Sequence, residues 1–122
     1  MQRDALLLIH MVEHARASRD AVARHGRPGF DDDVVVRMGF SHLLRVIGEA
    51  ARLVPDETRA RYAAVPWKQI VGMRHIIVHE YFRIDYDVVW NTATIHIPEL
   101  LTALEPEIGP QIDQHQFFKS SP

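Results

Sequence analysis

Apolar side chains recur along this chain every three or four residues, the spacing that lines one face of an α-helix. Between Asp4 and about Arg24, Leu8, Met11, Val12, Ala15 and Val22 fall near one side, with Asp4 placed to cap the start and HGRPGF ending the run. Asp31, Asp32 and Asp33 predict the opening of a second helix, because carboxylates are favoured at a helix N-terminus. Its stripe continues through Phe40, Leu43, Leu44, Ile47 and Ala51 to about Val54, where Pro55 closes it. PDETRARYAAVP reads as a short helical turn and connector, and Pro66 stands where a first-turn proline begins a third helix, PWKQIVGMRHIIVHEY. Asp85 opens a fourth, DYDVVWNTATIH, with a break expected near Ile97 because Pro98 follows, and PELLTALEPEI as a separate piece.

The β-branched runs DVVV and HIIVH are embedded in longer helical periods, so strands are not expected. The predicted fold class is all-α, an up-and-down bundle of four main helices plus short helical pieces. Residues 1–105 form the expected helical domain, and 106–122, with its prolines and with Phe117 and Phe118 as its main apolar residues, a partly ordered tail. Gly39, Ser41, Gly48, Ala50 and Ala51 on the second helix and Gly72 on the third forgo packing. A glycine inside a helix costs about 1 kcal/mol relative to alanine, usually offset by close approach of another helix. These two helices are therefore the candidate surface of a homodimer.

Composition narrows the options. At 122 residues the chain supports one domain, and without cysteine it has neither a disulfide framework nor a thiolate zinc site. No basic start leads into an apolar run and no membrane-length apolar stretch occurs, so the expected address is the cytoplasm. A net charge of −2 provides no general field for polyanions, so any nucleic-acid contact must be local.

The chemistry concentrates in VGMRHIIVHEYFRID, residues 71–85, where Arg74, His75, His79, Glu80 and Tyr81 interrupt an otherwise apolar helix. Buried polar groups are costly unless paired, so these either have partners or do chemistry. Arg74 and His79, five residues apart, lie about 140° from each other on a regular helix, and two copies meeting across a dyad would ease their convergence. A histidine can exchange protons with a ribose 2'-hydroxyl or a leaving oxygen near neutral pH. Arginine supplies fixed donors to a phosphate whose charge concentrates in the transition state, and no metal is required. Simpler roles stand beside these: Arg74 paired with Glu49 or Glu80, His79 as a satisfied core histidine, Tyr81 with buried ring and wet hydroxyl, and Trp67 and Trp90 as core anchors. His10 with His14 and His75 with His79 have the i,i+4 spacing of metal ligands, and four imidazoles would meet if their helices packed together.

The string MRHIIVHEY resembles the R-x-x-x-x-H-x-Y motif of HepT-like toxins, a branch of the HEPN superfamily of helical ribonucleases. RVIGEAARLV, VPWKQIVGMRHIIVHEYFRID and VVWNTATIHIPEL resemble that family's segments in the same order, from about residue 1 to 105. The resemblance implies a toxin of a toxin–antitoxin pair, a homodimeric, metal-independent endoribonuclease with no cofactor, in which Arg74 and His79 are the catalytic pair acting on RNA. It also implies a minimal nucleotidyltransferase antitoxin as partner, transferring AMP onto Tyr81. A bulky anionic group beside the cleft would repel and block an RNA backbone. His75 stands where many relatives carry asparagine, and with Glu49 it is a candidate supporting residue. The alternative is a non-catalytic helical dimer that binds the nucleotidyltransferase and is modified by it.

Overall fold

A computed structural model describes residues 3–115, and among them every regular element is helical. The fold class is all-α, as the periodicity predicts.

The first helix, α1 (Arg3–Asp32), is longer than expected. It does not stop at HGRPGF but kinks at Gly26, whose φ of 61° and ψ of −178° suit a residue without a side chain. Helical backbone then resumes, with Pro28 in the first turn of the restarted segment, where its missing N–H is not needed. The restart carries Phe30 into the core, against Phe40, Trp90 and Tyr86 at ring-centroid distances of 5.3, 5.1 and 6.2 Å. Asp4 lies inside the first turn and accepts a 2.7 Å hydrogen bond from the Thr58 hydroxyl. Of the aspartate triplet, only Asp33 caps α2 (Val34–Leu53), accepting from the Val35 and Val36 amides, while Asp31 pairs with Arg27.

After Pro55 comes the short α3 (Asp56–Arg61), then α4 (Trp67–His79) following Pro66. Trp67 donates from Nε1 to the Tyr62 carbonyl and is half-buried, as is Trp90. The helix ends two residues earlier than expected: Glu80 leaves helical geometry, and Tyr81–Arg83 form a 3-10 turn. Asp85 caps α5 (Tyr86–Asn91), as its position predicts.

The break expected near Ile97 does not occur. A π-turn, Thr92–His96, joins α5 to α6 (Ile97–His115), with the Ile97 amide reaching back to the Thr92 carbonyl. That wider turn accommodates Pro98, whose ring would press on the carbonyl of Thr94 in a regular α-helix. Nor does the helix fray at Pro106. Pro98, Pro106 and Pro110 are all exposed, so the carbonyls they leave without donors lie toward water. On the opposite side Ile97, Leu100, Leu104, Ile108 and Ile112 form a continuous buried stripe. Each such side chain stabilises the fold by about 1.5–3 kcal/mol, enough to hold the helix past its prolines. The rest of the expected tail, residues 116–122 with Phe117 and Phe118, lies outside the described residues.

Helix α1 packs against α2 on one side and α6 on the other, and α4 packs on α2. Arg16 ties α1 to α6 through both oxygens of Glu105, at 2.5 and 2.9 Å, and through Asp113 at 3.0 Å. Among the described residues no helix is long and apolar enough to cross a membrane.

Candidate active site

The site begins where α4 crosses α2. A Cβ at Gly48 would lie 2.2 Å from Cβ of Arg74 and 2.9 Å from the Ile70 carbonyl oxygen, so only glycine admits this approach. Gly48 therefore makes its close approach within the chain. Gly39 and Gly72, by contrast, face open space.

The crossing lays the Arg74 stem across α2 and brings its guanidinium to Glu49, the neighbour of Gly48. Arg74 Nε lies 2.9 Å from Glu49 Oε2, an ion pair whose angle is too poor for a hydrogen bond, so this buried N–H has no hydrogen-bonded acceptor. Glu49 also accepts from Arg52, at 2.8 Å to Nη2 and 3.3 Å to Nε. Arg52 first, and Arg74 after it, hold the Glu49 carboxyl below the usual carboxylate range. Glu80 faces Arg83 instead, at 3.5 Å.

Around the helix, His75 and His79 form a second cluster. Their rings are 4.7 Å apart at an interplanar angle of 47°, and both residues are exposed. His79 is therefore not a core histidine. Within one chain the structure brings Arg74 to Glu49 and His75 to His79, two clusters on different sides of α4, as their spacing around the helix requires. The four-histidine metal site does not form: His14 Nδ1 lies 2.7 Å from the His10 carbonyl oxygen, and the described residues contain no group of three or more metal-ligating side chains.

Tyr81 follows on the 3-10 turn. Its ring is not buried: the residue is 60% exposed and sits 4.1 Å, centroid to centroid, from Phe82, itself 85% exposed. Tyr81 also lines a cavity of about 280 Å³ with Met38, Ser41, His42 and Arg45 of α2, Ile77 of α4, Ile84, and Tyr86 of α5. Of these α2 residues the sequence pattern singles out only Ser41, as a small residue, although His42, Arg45, Glu49 and Arg52 form a polar stripe at three-and-four spacing.

In this all-α chain α4 crosses α2 at Gly48 and ends at the exposed His79, with the exposed Tyr81 on the turn that follows. A model of the family described as ribonuclease HepT-like matches residues 11–106, a stretch containing Glu49, Arg74, His75, His79 and Tyr81, and the chain belongs to that family. It is 44% identical over 71 residues to a candidate RNase of Caldanaerobacter subterraneus subsp. tengcongensis, covering 58% of this chain and 63% of that one. It is 37% identical over 76 residues to a candidate RNase of Methanocaldococcus jannaschii, covering 62% and 66%. A candidate ribonuclease HepT of Thermococcus cleftensis is 35% identical over 57 residues, covering 47% and 52%. The matched stretch thus spans between half and two thirds of these relatives. No solved structure matches the chain.

Proposed function

We propose that the protein is the toxin of a toxin–antitoxin pair, a metal-independent endoribonuclease that works as a homodimeric helical bundle. The observation that carries this reading is the exposed end of α4, where His79 and Tyr81 meet solvent within the matched family segment. In the proposed reaction His79 takes the proton of a ribose 2'-hydroxyl, and the 2'-oxygen attacks the adjacent phosphorus. The bond to the 5'-oxygen breaks, that oxygen takes a proton from water, and a 2',3'-cyclic phosphate remains, while His79 returns its proton to solvent. Arg74 donates to the non-bridging oxygens as their charge rises. Two copies are needed because one chain turns Arg74 and His79 apart. His75, whose ring lies tilted against that of His79, helps to orient it.

Control acts through Tyr81. A minimal nucleotidyltransferase antitoxin is the proposed partner: the Tyr81 oxygen attacks the α-phosphorus of ATP, pyrophosphate leaves, and the bound adenylate excludes RNA by bulk and charge. The exposure of Tyr81 supports this, since a transferase must reach its hydroxyl.

A second reading, a non-catalytic dimer that the transferase binds and modifies, is favoured by the Arg74–Glu49 ion pair, a structural use for the arginine. RNA cleavage separates the two. The purified, unmodified protein is expected to degrade RNA in EDTA, with His79→Ala reducing the rate by roughly 10²- to 10⁴-fold, the usual contribution of a general base, while the fold persists. Cleavage retained in His79→Ala would remove His79 from the mechanism, and none in the parent protein would leave the non-catalytic reading.

A further inference from the structure

The cavity beside Tyr81 has no role in the reaction described above. Its volume, about 280 Å³, is just under the roughly 300 Å³ at which small-molecule pockets begin, the size class of one flat ring system rather than of an extended polymer. Two tyrosines line it, Tyr81 and Tyr86, with Ile77 and Ile84 supplying apolar surface. Ser41 also lines it, is 8% exposed, and its hydroxyl has no hydrogen-bond partner. The cationic Arg45 completes it: among the described residues no carboxylate pairs with this arginine, whose Nη2 lies only near His42 Nδ1, at 3.4 Å. An aromatic face, a buried polar atom short of a partner and an unpaired guanidinium match a stacked base, its polar edge and its phosphate respectively.

We propose that this cavity is a nucleotide subsite of the RNA-binding surface, with one base stacked on Tyr81 and the attached phosphate on Arg45. It rests on the ribonuclease reading, and binding rather than cleavage tests it, so the two can fail separately. Because Tyr81 is two residues beyond His79, the subsite holds a nucleotide adjoining the scissile phosphate. Arg45 and His42 are then positioning residues for the strand. An adenylate on Tyr81 would compete for the space a substrate base needs, which adds direct displacement to the blocking of the cleft. Phe82, packed on the Tyr81 ring, backs the stacking surface.

The test uses the full chain with labelled Met38, Ile77 and Ile84 methyl groups, followed by NMR. One arm titrates a 2'-O-methyl dinucleotide, which has no free 2'-hydroxyl to be cleaved, and the other titrates AMP. Expected are shifts centred on these three methyls with the dinucleotide and weaker binding of AMP. Arg45→Ala and Tyr81→Ala should each raise Kd roughly tenfold, the order that base–aromatic stacking and a phosphate contact supply, whereas Tyr81→Phe should bind like the parent. Both positions are exposed, so these variants keep the fold. Four results would overturn the proposal. These are shifts only elsewhere or none, an unchanged Kd in Arg45→Ala or Tyr81→Ala, AMP binding as tightly as the dinucleotide with the same shifts, and shifts of these methyls with protein concentration alone. The third would assign the pocket to a free nucleotide, the fourth to a second copy of the chain.

Discussion

Arg74 shares its carboxylate partner with Arg52, so its guanidinium is anchored by an ion pair and stays charged, with no hydrogen bond to Glu49. Such an arginine keeps donors for a phosphate while its stem stays fixed, the preorganisation that transition-state stabilisation requires. This anchoring was open to sequence reading only as a choice between Glu49 and Glu80, because identity and spacing do not say which way a long side chain turns. The exposure of Tyr81 was beyond that reading for a related reason: the helix stops at His79, and the turn swings the ring outward. Away from the site, Glu13 is buried and one of its oxygens lacks a partner. Burial raises its pKa above 4.5, outweighing the opposite pull of His10, His14 and Arg16. A carboxyl raised in this way destabilises the fold when ionised. The penalty is fully present above the folded-state value, shrinks as pH falls through it, and is gone below the unfolded one. Glu13→Gln is therefore expected to melt at a higher temperature than the parent at pH 7, the gap closing as the pH falls toward 4.5 and absent below it. A gap that widened toward acid would reverse the assignment.

At the scale of elements, the site depends on how closely α2 and α4 approach, and Gly48 sets that distance. Gly48→Ala is expected to cost about 1–3 kcal/mol by overpacking against Arg74 and the Ile70 carbonyl, lowering Tm by roughly 5–15 °C and shifting Arg74 off Glu49. An unchanged thermal midpoint would mean the helices do not meet there. Period and capping residues placed most of these helices well, since Asp33, Pro55, Pro66 and Asp85 each mark a boundary that the structure has. Prolines misled where tertiary burial outweighed local preference. Pro28 and Pro98 read as breaks and Pro106 as the start of a partly ordered tail, yet helix continues beyond each, because a glycine kink, a π-turn or a solvated face absorbs the missing hydrogen bond while the apolar stripe remains buried. That stripe is visible in the sequence, but not that its burial outweighs the prolines.

At the scale of the whole molecule, one chain presents the two proposed catalytic groups on different sides of α4, so the ribonuclease reading requires a second chain to complete each centre. Gly39 and Gly72, with open space where a side chain would stand, leave helix surface that another helix can approach closely. The most direct test mixes two inactive proteins. Arg74→Ala and His79→Ala chains, each expected to be inert alone, are co-expressed, allowed to pair, and assayed on RNA in EDTA. If arginine and histidine come from different chains, each mixed pair contains one intact centre, and activity should return to roughly a quarter of the parent level by random pairing of two equivalent subunits. A mixture as inert as its components, with mixed pairs demonstrated by mass spectrometry, would contradict a centre shared between two copies.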